Sequence, residues 1–297
     1  VVQGLGASAP RIVAMAIMRD MFAGRIMARM MSIAMMIFII FPAFAPLIGS
    51  GVIAMLGWRG IFIAFILFSV ISATWLATRL PEPLPPSARR PFRLRLMLGA
   101  VRELAENPTV RLSIAVQTLC MGMMFCTLTM IQPIYDMIFG RAAEFPYWFA
   151  SIALISASAS LLNAALVVRL GMRRMVTWSV ASQLGVSGLM LTLTEIGLPE
   201  GMDFAAFLLW QCSIFFMVGT TMGNLNAISM EPMGHIAGMA ASVIGAVSTV
   251  GAALIAGPIG LLFDGTTVPL FGSIFVMSLI AIMLMMRMAR VEARMPV

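Results

Sequence analysis

Apolar stretches of about twenty residues follow one another along this chain with hardly a charge inside them, and a helix of that length crosses about 30 Å of hydrocarbon. Nine candidate spans can be placed, at 1–18, 31–53, 60–78, 112–135, 147–168, 175–194, 204–226, 239–263 and 270–287. Of the 297 residues, 61% are hydrophobic and 10% are charged. Soluble domains carry about 25% charged residues. No water-soluble surface can be built from this composition, so the chain is expected to be a polytopic membrane protein.

Within lipid only helices and closed barrels satisfy their backbone. The weak alternation of barrel strands is absent, which leaves an all-α architecture. Its nineteen basic residues are all arginine. Without lysine there is neither the G-x-x-x-x-G-K loop of an ATP motor nor a Schiff base. The single histidine, His235, rules out an H-E-x-x-H zinc site, and Cys120, Cys126 and Cys212 lie in apolar runs without C-x-x-C spacing. No cofactor or metal is expected.

The arginines also orient the chain, because short loops rich in Arg stay in the cytoplasm. One set of loops holds Arg19, Arg25, Arg29, the run from Arg79 through Arg111, Arg169, Arg173, Arg174, Arg287, Arg290 and Arg294, sixteen in all. The alternate loops hold Arg59 and Arg141, and Arg11 lies inside the first span. That split places the C-terminus in the cytoplasm, and nine spans then place the N-terminus outside. A basic surface confined to loops points to lipid rather than to nucleic acid. The chain opens on Val1 inside an apolar run, with no basic flank and no cleavage-type boundary. It is expected to be a fragment rather than a chain with a signal peptide.

One long polar segment, Leu80 to Arg111, interrupts the spans and opens with Pro81, Pro83, Pro85 and Pro86. Its second part sets Phe92, Leu96, Leu98 and Val101 among Arg93, Arg95 and Arg102, the pattern of a basic helix on a lipid surface. The expected division is therefore 1–78, a truncated N-terminal bundle; 79–111, a cytoplasmic loop; and 112–297, a six-helix bundle. Ala45-Pro46-Leu47-Ile48-Gly49 also has a partner six spans later in Gly257-Pro258-Ile259-Gly260. That spacing suits a duplicated six-helix unit whose first three spans are missing.

Several motifs resemble the major facilitator superfamily, and more narrowly its drug:proton antiporters of the bicyclomycin and chloramphenicol resistance branch. Gln3-Gly4-Leu5-Gly6-Ala7 resembles the end of the fourth-helix motif R-x-x-Q-G-x-G. Ala45-Pro46-Leu47-Ile48-Gly49-Ser50 resembles the antiporter motif G-P-x-x-G-G of the fifth helix, with Ala and Ser replacing two glycines. Arg169-Leu170-Gly171-Met172-Arg173-Arg174 resembles the loop motif D-R-x-G-R-R, with Val168 replacing its acid. The branch-specific match is Met230-Glu231-Pro232-Met233-Gly234-His235-Ile236-Ala237-Gly238, followed by Phe263-Asp264-Gly265. The resemblance implies helices 4 to 12 of a twelve-helix fold, two bundles rocking around a cavity lined mainly by helices 1, 4, 7 and 10. Spans one, four and seven would supply three of those four.

On those spans the substrate candidates are Gln117, Met121, Met124, Phe125 and Gln132, then Trp210, Gln211, Phe215, Asn224 and Asn226. Amides among apolar and aromatic groups suit a drug-sized ligand, and unbranched methionines, Met123 included, suit promiscuous contact. The same amides also serve interhelical hydrogen bonds, and the methionines also fill gaps or face lipid. Arg11 either meets an anion or a carboxylate in the cavity or snorkels to the cytoplasmic surface. Gly4-Leu5-Gly6-Ala7-Ser8-Ala9 fits the dinucleotide fingerprint G-x-G-x-x-A but has no βαβ unit around it, so close helix packing explains it.

Gating residues implied by the resemblance are Pro42, Pro46, Gly49 and Pro258 on the bent helices, with Arg169, Gly171, Arg173 and Arg174 in the loop. Glu231 and His235 are expected to make loop contacts. Asp136, Glu195 and Asp264 lie at outer span ends, and no acid lies mid-span. A titrating carboxylate is therefore expected on a missing helix.

The function so implied is efflux of small amphipathic drugs in exchange for protons, by a monomer in the bacterial inner membrane. An uptake carrier would need a more polar binding face. An intramembrane enzyme would need a Ser/His pair or metal cluster, and a channel a charged ring or filter.

Overall fold

The computed structural model describes residues 24–80, 94–199 and 201–293, with residues 3, 4, 6, 10, 13, 14, 17 and 21 ahead of them. For 24–40, 42, 43, 94–97, 100, 234, 235, 237 and 238 the backbone alone is described. Arg11 lies outside the described residues. Those described within 1–18 are all helical, and every regular element further on is helical too. We name the elements α1 (Gly24–Arg79), α2 (Leu94–Glu106), α3 (Pro108–Pro133), α4 (Phe145–Leu170), α5 (Met172–Ile196), α6 (Met202–Met230), α7 (Ala237–Gly260) and α8 (Val268–Glu292).

Seven helices among the described residues are long and apolar enough to cross a membrane. Six of them, from Pro108–Ile138 to Val268–Glu292, correspond one to one with the last six expected spans. The seventh, Phe44–Arg79, contains the end of one expected span, 31–53, and the whole of the next, 60–78. Helical geometry is interrupted within α1 at one residue, Gly57 (φ 70°, ψ 179°), between those two segments. A residue with a Cβ would be strained at that φ.

Contacts divide the chain into two compact units, Val1–Phe92 and Arg93–Val297. In the first, Leu56, Phe62, Ile66 and Trp75 are exposed, as side chains in contact with lipid would be. The Arg59 guanidinium lies 4.4 Å from the centre of the Trp58 ring and that of Arg79 lies 5.9 Å from Trp75. Arginine over indole at the ends of an apolar run matches the aromatic belts of membrane interfaces.

The second unit is a helical bundle with α3 and α6 at its centre. α3 packs on α6, α7 and α8, α6 packs on α3, α4 and α5, and α5 also packs on α8. Paired contacts fix the directions. Ser113 meets Leu225 and Tyr135 meets Gln211, so α3 and α6 are antiparallel. Thr118 lies against Gly251 and Thr129 against Gly260, so α3 and α7 are parallel. Ser179 with Thr220 and Ser187 with Trp210 make α5 antiparallel to α6, and Gly188 with Phe275 and Arg173 with Glu292 do the same for α8. Helices alternate in direction as a serpentine of spans must.

Small residues permit the close approaches. A Cβ at Gly251 would come within 2.6 Å of Thr118 Cγ2 and one at Gly260 within 2.8 Å of Thr129 Cγ2, so α7 packs its backbone against α3. α2 is anchored by Leu104, buried with Val110, Met233, Ala240 and Ile244, while Leu98 and Val101 stay exposed.

Candidate substrate-binding face

α3 begins at Asn107, whose carboxamide oxygen accepts from the amides of Thr109 (3.1 Å) and Val110 (3.2 Å), with Pro108 pre-set for the first turn. After Pro133 the chain continues as a π-turn, Ile134–Ile138. Three sides of α3 are committed to neighbours. Ser113 Oγ donates to the Leu225 carbonyl of α6 (2.9 Å), Gly122 approaches Ile255 of α7, and Met123 Sδ accepts from Ser278 Oγ of α8 (3.2 Å).

The remaining side follows from the helical step of 100° per residue. It carries Ile114, Gln117, Met121, Phe125, Leu128 and Gln132, with Met124 at its edge towards α6. On that side Leu128 and Gln132 are exposed, Ile114, Met121, Met124 and Phe125 are half-buried, and Gln117 is buried. Five of the sequence candidates therefore share one face of one helix.

Gln117 Oε1 has no hydrogen-bond partner among the described atoms. A buried acceptor left open costs about 1–3 kcal/mol, and the amide is then available to a donor brought in by a ligand. Gln211 of α6 is similar. Its Oε1 accepts from the Tyr135 hydroxyl (3.0 Å), while Nε2 has no partner among the described atoms. Tyr135 is itself buried, edge-on to Phe145, Phe204 and Phe207. On α6 the residues between the α3 and α4 contacts are Phe215, Met222 and Asn226. Phe215 meets Phe149 of α4 edge-on at 5.6 Å, and Asn226 is exposed.

Two candidates stand elsewhere. Trp210 is wholly buried towards α5 and α8; its indole N–H donates to Ser187 Oγ (3.1 Å) and its ring lies 4.7 Å from Phe271. Ser187 also accepts from Gln183, and Gln183 accepts from Ser213, so this is a closed polar network joining α5 to α6. Asn224 faces α4, donating to Asn163 Oδ1 (2.7 Å) and to the Thr220 carbonyl (2.8 Å). Both hold helices together.

Among the gating candidates, Gly171 (φ 82°) turns α4 into α5. Arg173 donates to Glu292 of α8 (2.6 Å), whereas Arg169 and Arg174 are exposed. Pro258 lies in the last turn of α7 and is exposed; Pro46 and Gly49 are half-buried in α1, and of Pro42 the helical backbone alone is described. Asp136, Glu195 and Asp264 are all exposed, near span ends. Asp264 Oδ1 accepts from the Thr266 amide (2.9 Å) and hydroxyl (2.7 Å), chiefly the latter holding its carboxyl below the usual carboxylate range. No group of three or more His, Cys, Asp or Glu among the described residues could hold a metal ion.

Sequence reasoning missed Tyr135, Asn163, Leu128 and Met222. Leu128 follows from stepping along α3 from Gln117. Tyr135 does not, because the π-turn after Pro133 shifts the register.

Comparison with known proteins gives a match of the Major Facilitator Superfamily model to residues 1–258. The chain is 27% identical over 250 residues to the bicyclomycin resistance protein homolog of Haemophilus influenzae, covering 83% of this chain and 61% of that protein. It is 23% identical over 284 residues to the uncharacterized MFS-type transporter YdgK of Bacillus subtilis, covering 94% of this chain and 69% of that protein. The chain thus spans less than two thirds of the length of the first of these relatives.

Proposed function

The chain belongs to the Major Facilitator Superfamily and is a multi-pass membrane protein built for transport, and on that premise we propose that it exports small amphipathic drugs in exchange for protons. The similarity to a bicyclomycin resistance protein homolog supports the drug-efflux branch. The observation that carries the reading is the α3 stripe: methionine, phenylalanine and leucine around one amide oxygen without a partner among the described residues.

In this reading Met121, Met124, Phe125 and Leu128 present a soft apolar wall to a flat substrate. Gln117 accepts a hydrogen bond from it, and Phe215 adds an aromatic edge from α6. Gln132 marks the wet end of the face. Trp210 and Asn224 act one layer behind, by fixing α6 against α5 and α4. Arg11 remains a candidate contact of the complete protein, and the coupling carboxylate lies outside the stripe. Arg173 with Glu292, the Gly171 turn and the helix residues Pro42, Pro46, Gly49 and Pro258 form the gating parts. The protein acts as a monomer in the bacterial inner membrane, C-terminus inside.

The test is drug tolerance and proton-driven dye efflux in an efflux-deficient bacterial host expressing the full-length protein. Phe125→Ala is expected to weaken substrate binding about fivefold, the loss of roughly 1 kcal/mol of aromatic contact. Gln117→Leu should alter the ranking of substrates more than the rate. Efflux unchanged in both variants, or wild-type protein that accumulates the dye, would refute the reading.

A further inference from the structure

Helices α4 and α5 both pack on α6 but barely on each other, and between them lies a groove of about 470 Å³. Leu162, Leu166 and Leu170 of α4, Trp178 of α5, and Leu209 and Phe216 of α6 line it. It is remote from the α3 stripe. Leu209 and Phe216 project from the side of α6 roughly opposite Gln211 and Leu225, which meet α3. Since its walls are spans, the groove opens at hydrocarbon depth.

The chemistry of its floor selects an occupant. Four hydroxyls lie there, and all are engaged within the protein: Ser182 donates to the Ser179 carbonyl (2.8 Å), Ser213 to Gln183 Oε1 (3.0 Å) and Thr220 to Ser179 Oγ (2.8 Å), which accepts. What remains suits an alkyl chain. At one end the groove closes on the α4–α5 turn. There Leu170 and Met175 line it, and their neighbours Arg169 and Arg174 are exposed. Arg173 is occupied by Glu292, so the two exposed guanidiniums carry the free positive charge of the turn. Trp178 is 60% exposed and two turns into the helix, the depth at which indole marks the headgroup region.

We propose that this groove binds an anionic phospholipid of the cytoplasmic leaflet, one acyl chain between α4 and α5 and the phosphate on Arg169 and Arg174. Basic pockets between spans on the cytoplasmic side recognise anionic headgroups in this way. The site stands independently of the efflux reading.

The full chain, purified in mild nonionic detergent, is titrated with phosphatidylglycerol and separately with phosphatidylcholine, and adducts are counted by native mass spectrometry. Wild type is expected to prefer phosphatidylglycerol about tenfold. Arg169→Gln with Arg174→Gln lowers phosphatidylglycerol uptake to the phosphatidylcholine level, and Ser182→Phe, which fills the groove, lowers uptake of both lipids. Equal binding of the two lipids by wild type, a preference that survives the arginine changes, or uptake unaffected by Ser182→Phe in protein with a wild-type melting temperature overturns the proposal. So does displacement of the lipid by inorganic phosphate at equal concentration, which would mean an anion site alone, or dimers that Ser182→Phe abolishes, which would mean a second copy in the groove.

Discussion

Gln211 shows how a single side chain can belong both to the scaffold and to the site. Its Oε1 accepts from the Tyr135 hydroxyl, and its Nε2 donates to no group among the described residues. Tyr135→Phe leaves both ends of the amide open, and interhelical hydrogen bonds in membranes are worth about 0.6 kcal/mol on average and up to about 1.7. Combining it with Gln211→Leu removes the stranded polar group as well, so the double variant should melt closer to wild type than Tyr135→Phe alone. A thermal-shift series on the purified protein checks this; a double variant less stable than Tyr135→Phe would show that the amide has another partner. Packing gives a second case. Gly251→Ala drives a Cβ into Thr118 Cγ2, and Thr118 cannot simply rotate away because its hydroxyl is held by the Ile114 carbonyl at 2.8 Å. We expect a loss of about 1–3 kcal/mol, largely restored by Thr118→Ser, which keeps the hydroxyl and removes the methyl. The same melting experiment reads it, and no restoration would place the strain elsewhere.

At the scale of elements, the spans of the second unit were legible from hydropathy alone, and the shared face of the five α3 candidates follows from their helical spacing. What was not legible is which side of a helix meets its neighbour. Trp210 and Phe215 are five residues apart on α6 and equally plausible as drug contacts by composition. Yet one closes a network with Ser187 and the other lies beside α4 at the edge of the open face. Only the packing of α5 and α8 against α6 separates them, and that depends on partners remote in sequence. The α3 stripe itself predicts a pattern of reactivity. With the native cysteines replaced, single cysteines at 121, 128 and 132 should react with a membrane-impermeant or small polar maleimide, and drug should slow the reaction. Cysteines at 116, 123 and 130 should not react, because Val116, Met123 and Met130 are buried in the bundle. Uniform reactivity around the helix would remove α3 from the substrate pathway. Between α7 and α8 the turn at Asp264 is pH-sensitive by the same local logic. Its carboxyl pKa is depressed in the folded state by Thr266, so the turn contributes stability above the unfolded carboxylate range and loses it as pH falls through the folded value. Asp264→Asn should flatten that acid limb of the melting curve.

For the molecule as a whole, the helix directions and the charges can be combined into a statement about sidedness. The contacts set α3, α5 and α7 one way and α4, α6 and α8 the other. The ends near Asn107, Gly171, Glu231 and Ala293 therefore share one face of the bundle, and those near Arg141, Gly197 and Gly265 share the opposite face. Among the described residues of this unit, Arg95, Arg102, Arg111, Arg169, Arg173, Arg174, Arg287 and Arg290 lie on or near the first face and Arg141 on the second. An arrangement derived from packing thus sorts the arginines as the positive-inside rule requires, although packing takes no account of a membrane. The first face should be cytoplasmic. In intact cells a cysteine at Arg141, which is exposed beside Glu144, should be labelled by an impermeant maleimide, whereas one at Arg174 should be labelled only after the membrane is permeabilised. Labelling at 174 and protection at 141 would invert the protein. The proposed anionic lipid would then have to come from the outer leaflet of that membrane, and the gating assignment, which depends on which face of the bundle meets the cytoplasm, would reverse with it.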